Sequence, residues 1–553
     1  MEQGRLFLAI VLSFLVFVVW EFIFVDKQAK NPPAVSEKSI EIPETQPIPK
    51  DAEAPESIPA EAPDSAAVPQ TPGFDTLSIN TPLYSATISE KNAAIVGFLL
   101  HNYKESMDAG SPNKNLISEN NPSGTAILGF SGKDVSGIST AVFTTDVTDK
   151  SIGVKDGVRS VSFFWKSGEG ILVEKKYSFN PDTYKIKLDV MIKNSSDRPF
   201  DEDLTLSIIN APPGDTQQFS FEGPFAFING KLEDVPVKDL DEKNTLTGEV
   251  AWAGLGEQYF MTTVLPEKTA AATVLLKQNE KTKLLEVQYV QETPVLSPST
   301  QKEFQFSLYL GPKRMSSLKA AGGNLDQAIN FGFFDILAKP CLWLMNTIHD
   351  RWIPNYGVAI ILLTILFKII FWPLGSKSYK SMAEMKKLQP LMTEIREKYK
   401  NDKKKMNEEV MGLYKTYKVN PMSGCLPMLV QIPVFFAFYR MLYGSIELRH
   451  APFFGWITDL SAPDRLFSFD FTIPLMTPPY GIPVLTIIMG ATMFLQQKLS
   501  PPPGDPTQAR IMMLMPLIFT FIFINFPAGL VLYWLVNNVL SISQQYYITK
   551  KTV

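Results

Sequence analysis

The stretch that most constrains this chain is residues 357–374, GVAIILLTILFKIIFWPL. A run of this length and apolarity can cross a bilayer as a helix, the one open-ended structure that satisfies its own backbone in hydrocarbon. Yet Lys368 lies inside it. A lysine near the middle of a membrane helix costs about 2.5–3.5 kcal/mol on insertion scales, so it marks a functional site by default. A second reading competes. Lys368 precedes Pro373 by five residues, which is roughly 7–8 Å of helix rise. Its amine can therefore snorkel to the interface with its stem along the lipid tails. The run alone leaves both readings open.

The remainder divides into segments of contrasting composition. Residues 1–26 contain a first apolar run, LFLAIVLSFLVFVVWEFIFV, preceded by Arg5 and followed by Asp26. Its length fits an uncleaved anchor with a cytoplasmic N-terminus better than a cleaved signal peptide, since no small-residue cleavage site follows closely. Residues 27–72 hold ten prolines with much Ala and Glu. Such a segment buries too little apolar surface to offset its ordering entropy, and reads as a disordered tether. Residues 73–320 carry runs with strand character at 158–165, 171–179, 184–193, 204–209, 271–276, 284–290 and 303–310, separated by turn signals such as SGEG (167–170) and NPD (180–182). Many strands with few helical stretches imply an all-β sandwich, lying on the outer face if the first run is an N-in anchor. Residues 325–352 are apolar but interrupted by charge. Phe331, Phe334, Leu337, Ala338, Leu342 and Met345 recur at helical spacing, with Trp343 and Trp352 suited to headgroups. An interfacial amphipathic helix fits this pattern, and a helix packed on the β-domain is the alternative.

After a second span at 353–375, residues 376–420 are strongly charged: between 377 and 418 there are twelve Lys/Arg against six Asp/Glu. The positive-inside rule places this loop in the cytoplasm. Met382, Met385, Leu388, Met392, Ile395 and Tyr399 form one seam and Met406, Val410, Leu413 and Tyr417 a second, with KNDKKK (400–405) between them. The expected structure is an antiparallel helical hairpin. Its basic face is either a docking surface or merely solvated. Further spans are expected at 421–443, 481–497, 511–526 and 530–548, with an outer loop at 444–480, a cytoplasmic loop at 498–510 and a short cytoplasmic tail at 549–553. The result is a polytopic α-helical membrane protein of six spans with an inserted all-β domain, both termini inside.

Several chemistries are excluded. His101, His349 and His450 are scattered, and Cys341 and Cys425 lack metal-ligand spacing and fall on opposite sides of the bilayer. No cofactor or metal is expected. No paired aspartates or histidines lie inside a span, so intramembrane proteolysis finds no machinery. No aromatic–basic module points to direct nucleic-acid binding. The polar residues within spans are few: Thr364, Lys368, Gln431, Thr520, Asn525, Asn537, Asn538, Gln544 and Gln545. They should face one another or water. Fifteen of the twenty methionines follow residue 340, which suits either lipid contact or a surface that accepts varied apolar partners. Two classes remain: a binding bundle for apolar segments, and a small-solute transporter or channel. The second is weakened by the absence of internal repeats.

Three blocks carry a resemblance: NPMSGCLPMLVQIPVFFAFYRML (420–442), IELRHAPFFGWITDLSAPD (446–464) and FPAGLVLYWLVNN (526–538). With LTILFKIIFWPL (363–374) and the LQP at 388–390, they resemble the YidC/Oxa/Alb family of membrane protein insertases. AWAGLGEQYF (251–260) and LYLGPK (308–313) are similar to the large periplasmic domain of its Gram-negative members. The resemblance implies a protein of the bacterial inner membrane with a five-helix core and a groove open to cytoplasm and lipid. It implies no covalent chemistry, hence no enzyme. Groove positions map onto Thr364, Lys368, Gln431, Tyr533 and Trp534, and a hydrophobic slide onto Ile432, Pro433, Phe435, Phe519 and Ile522. The cytoplasmic hairpin, with Met382, Met385, Lys386, Lys387, Lys403, Lys404 and Lys405, would receive clients. Implied partners are nascent membrane proteins, membrane lipids, the ribosome and signal recognition pathway, and the Sec translocon (SecYEG and SecDF). Two positions depart from the family pattern. Lys368 stands where many members have arginine, keeping the charge without the planar fork, and Trp534 stands where tyrosine is common.

Overall fold

In the computed structural model the described residues are 74–108, 110–132, 137–212, 221–417, 419, 426–499 and 506–552. The expected anchor and tether at 1–72 lie outside them, as does Cys425. Two sheets dominate the N-terminal half. A five-stranded sheet runs in the order Asn113–Asn115, Ile95–Lys104, Tyr84–Ser89, Thr76–Asn80, Ser151–Gly153. A larger sheet runs Ile127–Phe130, Leu204–Asn210, Leu285–Gln291, Ala270–Gln278, Thr245–Gly256, Phe260–Pro266, Gln301–Pro312, Lys185–Asn194, Ile171–Phe179, Arg159–Lys166, Thr144–Thr145. A hairpin, Gly223–Ile228 with Lys231–Asp234, branches from its long Thr245–Gly256 strand. The expected strands appear with ends displaced by a residue or two. The small sheet, the branching hairpin and Thr245–Gly256 add to them. In Ile95–Lys104 and Thr245–Gly256 consecutive residues are buried, so neither shows clean alternation.

Alternation elsewhere places side chains by rule. In Ile171–Phe179 every second residue is buried, and the central one is Lys175. Its ammonium donates to the carbonyls of Asn92 and Ala93, in the turn between two strands of the small sheet, and of Ala126, just ahead of Ile127–Phe130, at 3.0, 2.9 and 2.9 Å. Beside it, the Tyr177 hydroxyl donates to Ala93 O at 2.7 Å. Trp252 fills the far end, its ring 4.9 Å from Phe225 and its indole N–H donating to Asn324 O at 3.2 Å.

The last long strand leads into helix α1 (Met315–Ala321). Two 3₁₀ turns, Leu325–Ala328 and Gly332–Phe334, precede α2 (Asp335–Arg351). The helix expected at the interface thus starts ten residues later than the apolar pattern suggested, because Asn324 and Gly332 adopt left-handed φ of 60° and 65° and break the helical path. Helix α2 buries Ala338, Cys341, Leu342, Met345 and Ile348 against its neighbours. Its outer side leaves Ile336 and Trp343 largely exposed, with Phe333 just ahead of it. Apolar exposure opposite a packed face suits the bilayer interface.

The next helices are α3 (Tyr356–Ile370), α4 (Trp372–Lys387), α7 (Leu426–Gly444), α8 (Val484–Leu499), α9 (Pro506–Phe523) and α10 (Ala528–Thr552). The expected span boundaries shift at four points. Residues 480–482 form a strand that pairs with Leu466–Phe469, so α8 begins only after Pro483. Helix α9 starts at Pro506, inside the expected cytoplasmic loop, since proline is tolerated in a first helical turn. Helix α10 runs through the expected tail. The run expected as the second span is not one rod: two helices meet there, bent by 66°. Among the described residues no single helix is long and apolar enough to cross a membrane by itself; the bent pair α3–α4 is, taken together.

The β-rich region meets the helices through side chains that grip main chain. Gln258 donates to Tyr443 O at 3.0 Å, Arg449 to the carbonyls of Lys104 and Glu105 at 2.6 and 3.0 Å, and Lys185 to Ala321 O at 3.1 Å.

Residues 388–419 form a separate compact unit. In it α5 (Gln389–Lys398) and α6 (Lys403–Thr416) are joined by a short turn. Asp402 caps α6 by accepting from Lys405 N at 3.0 Å, satisfying one of its orphan donors. The Tyr414 hydroxyl reaches Met392 Sδ at 3.4 Å across the pair. The single long seam expected over 382–399 is interrupted at Leu388, ahead of Pro390, whose ring disfavours a continuous helix.

Candidate functional site

Some of the polar residues of the helical region, Lys368, Tyr379, Ser541 and Gln544, gather where α3 ends. Helix α3 begins at an Asn355 cap, whose side chain accepts from Val358 N at 3.0 Å. It stops at Ile370 because Pro373 has no N–H to give the turn before it and its ring crowds that turn. Lys368 thus sits in the last turn, where the free carbonyl ends of the helix favour a cation. It is half-buried, and its ammonium donates to Ser541 Oγ of α10 at 2.6 Å. The Ser541 hydroxyl in turn donates to Asn537 O at 2.7 Å, and Tyr379 of α4 hydrogen-bonds it as well. Among the described residues Lys368 forms no ion pair.

One turn further along α10, Gln544 closes on the bend itself. Its amide donates to Trp372 O at 3.1 Å and reaches Ser376 Oγ at 3.4 Å. Glycine leaves room for this approach: a Cβ on Gly375 would lie 2.9 Å from the Gln544 amide nitrogen and push the amide aside. Tyr533, Asn537, Ser541 and Gln544 are spaced by four, four and three, so they line one face of α10. At its upper end Tyr533 hydrogen-bonds Gln431 and stacks on Phe438 with centroids 4.7 Å apart.

The structure sorts the expected site residues into three groups. Lys368 belongs with Ser541 at one level of α10. Gln431 belongs with Tyr533 at another, eight residues away, which is about 12 Å of rise. Trp534 is aromatic surroundings throughout: Phe435 at 4.7 Å, Phe523 at 5.0 Å and Phe519 at 6.1 Å. Thr364 is buried and its hydroxyl donates to Ile360 O of its own helix at 2.7 Å. Of the apolar set, Ile432 and Pro433 are exposed, and Phe435, Phe519 and Ile522 are half-buried. The outward side of α9 continues the apolar surface with Met513, Leu514, Leu517 and Phe521. In the cytoplasmic set, Met382, Met385, Lys386 and Lys387 lie on α4, the two lysines exposed; Lys403, Lys404 and Lys405 open α6, where Lys404 and Lys405 are exposed.

Sequence reasoning did not single out Ser541, Tyr379 or Ser376. The signal for Ser541 was present, because it falls four residues after Asn537 on the stripe that ends in Gln544. For Tyr379 and Ser376 there was none, since their positions depend on the bend at Phe371.

This arrangement can be set beside known proteins. A relative from Syntrophus aciditrophicus, named membrane protein insertase YidC, is 39% identical over 556 residues, covering 98% of this chain and 99% of the relative. The chain belongs to the YidC family. A YidC of Geobacter sulfurreducens is 42% identical over 477 residues, 85% of each chain. The family model described as the 60Kd inner membrane protein matches residues 348–553, and that described as the YidC periplasmic domain matches residues 76–344. The join between the two matches falls inside α2, the helix that carries the chain from the β-rich region to the bent pair. Among solved structures, a crystal structure of an active YidC insertase with its first transmembrane domain covers 86% of this chain and 95% of its own, with 19% identity and a TM-score of 0.38.

Proposed function

We propose that this chain is an inner-membrane insertase that moves apolar segments of nascent membrane proteins from the cytoplasm into the bilayer. One observation carries the reading: a lysine inside an apolar helix is held by a neutral hydroxyl, with no ion-pair partner among the described residues. A cation so placed has unspent attraction for an acidic or polar client segment, in surroundings that strengthen each charge–dipole contact. A polar segment that meets Lys368, Ser541 and Asn537 partway across loses less solvation than in bare lipid, and the barrier to crossing falls. The client's apolar part then leaves along Ile432, Pro433, Phe435, Phe519 and Ile522 into the bilayer. No bond is made or broken, and no enzymatic step is needed.

The topology that serves this cycle has six spans with both termini in the cytoplasm and the β-rich domain in the periplasm. The hairpin of α5 and α6, with Lys403, Lys404 and Lys405, receives clients from the ribosome and signal recognition pathway, and the Sec translocon is a second source. The small-solute transporter weighed from sequence has no support in the names of the relatives, which are insertases. The test is complementation of an insertase-depleted strain with Lys368→Ala and Lys368→Arg, following insertion of small membrane proteins with acidic tails. Arginine is expected to restore insertion and alanine to lower it about tenfold, the worth of one charge-assisted contact of about 1.4 kcal/mol. Full rescue by alanine for every client removes the charge from the mechanism.

A further inference from the structure

At the outer end of the helices a cavity of about 490 Å³ lies between the β-rich region and helices α1, α2 and α3. Its size is that of a small-molecule site, which spans about 300–1,000 Å³. Charges of both signs line it. Arg314 enters from the strand–α1 junction and hydrogen-bonds the Tyr103 hydroxyl. Glu447, 8% exposed, faces in from the outer loop and accepts from Asn346 Nδ2 at 3.2 Å. The two attract one another across the space but do not form an ion pair within 4.0 Å. Burial holds the Glu447 carboxyl above the usual carboxylate range. The carboxylate is held by one side-chain amide and its own backbone N–H, with Arg314 beyond contact distance, which leaves room for a cation in direct contact. Tyr356 adds an aromatic wall, its ring stacked on His349 with centroids 3.8 Å apart. The α2–α3 junction beside the cavity exposes Trp352 and Ile353, residues suited to the headgroup layer.

We infer that this cavity binds a zwitterionic headgroup, a phosphodiester paired with a primary ammonium, with the phosphate on Arg314 and the ammonium between Glu447 and the Tyr356 ring. The guanidinium suits a phosphate by its planar fork, and a carboxylate next to an aromatic face suits an ammonium. Asp182 and Arg449 also line the cavity, and Arg314 and Glu447 each gain an opposite charge closer than the other stands across the space. A bilayer phospholipid and a soluble glycerophosphodiester share this chemistry; the level of Trp352 and Ile353 favours the lipid.

The test uses the full chain in a non-ionic maltoside detergent after removal of lipid. Binding of dihexanoyl phosphatidylethanolamine is followed by phosphorus NMR line broadening. Glycerophosphoethanolamine, dihexanoyl phosphatidylglycerol and inorganic phosphate serve as the comparison probes. Saturable binding of the phosphatidylethanolamine is expected, weakened at least about tenfold in Arg314→Gln, the loss of one charge-assisted contact. Glu447→Gln should erase the preference over phosphatidylglycerol. Ser317→Trp, which fills the cavity without changing any charge, should block binding even if the arginine variant fails to fold. Equal binding of glycerophosphoethanolamine supports the site and assigns it to a soluble diester. Phosphatidylglycerol or phosphate binding as well as phosphatidylethanolamine overturns the zwitterion assignment. Binding unchanged in Arg314→Gln or Ser317→Trp overturns the site.

Discussion

Replacing Lys175 by methionine keeps an unbranched side chain, one atom shorter, and removes its three donors. The side chain is fully buried, and the three carbonyls it holds belong to residues with left-handed φ: Asn92 at 59°, Ala93 at 43° and Ala126 at 59°. Such conformations cost energy for residues other than glycine and persist only where the surroundings fix them. The ammonium also lies 6.0 Å from the Phe143 centroid and 5.4 Å from that of Tyr177. The Ala93 carbonyl keeps the Tyr177 hydroxyl, whereas those of Asn92 and Ala126 lose their donor, and each buried carbonyl left unsatisfied costs about 1–3 kcal/mol. Relief from burying an ammonium offsets part of this, leaving a net cost of about 3 kcal/mol for the turns that cross between the sheets. The assay is hydrogen–deuterium exchange by mass spectrometry on the full chain, reading peptides over 90–96 and 124–128. At 1.4 kcal/mol per decade, exchange there should accelerate on the order of 100-fold. The same site makes a pH prediction. Burial pushes the Lys175 pKa down from 10.5 to about 7. Between those values the folded protein binds fewer protons than the unfolded one, so protection rises with pH across that window and is lowest below it. Lys175→Met should lack this rise. Exchange unchanged within about threefold, or accelerated equally in every strand, would refute a local clamp.

Three further outcomes follow from packing and hydrogen bonds. Gln544→Leu removes the donor to the Trp372 carbonyl at the bend, and should cost about 1–2 kcal/mol with a matching loss of insertion in the complementation assay. Arg465 donates to Pro479 O, Asp464 O and Ile524 O, each at 2.8 Å, and reaches Asn525 Oδ1 at 3.3 Å. Arg465→Ala should make the segment between Leu466 and Ile482 sensitive to limited proteolysis while α8 and α9 stay protected. A Cβ on Gly490 of α8 would collide with the Thr520 side chain of α9. Gly490→Ala should therefore lower the thermal midpoint by an overpacking cost of about 1–3 kcal/mol, and Thr520→Ala should restore it.

The strands with clean alternation were legible from sequence to within two residues, because a half-buried surface imposes period two. The strand with Lys175 at its centre shows the limit: its place was readable, but nothing in the sequence pairs that lysine with carbonyls some fifty to eighty residues away. Among the helices, the apolar runs were legible and their ends were not. Pro373, Pro483, Pro506 and Pro390 each moved a boundary, since proline opens a helix as readily as it breaks one. The candidate site was half legible. Lys368 stood out by its charge in an apolar run, whereas Ser541 and Gln544 became its company through a 66° bend that no periodicity encodes.

The junction between the β-rich region and the helices has a consequence for how this protein can change over time. Gln258, Arg449 and Lys185 all grip backbone carbonyls, those of Tyr443, Lys104, Glu105 and Ala321. Every residue type offers that acceptor. At each of these contacts the residue lending its carbonyl can therefore drift in sequence without loosening the joint, while the three donors cannot. Mutational tolerance at the seam is uneven residue by residue, and substitutions should accumulate at Tyr443, Lys104, Glu105 and Ala321 rather than at Gln258, Arg449 and Lys185.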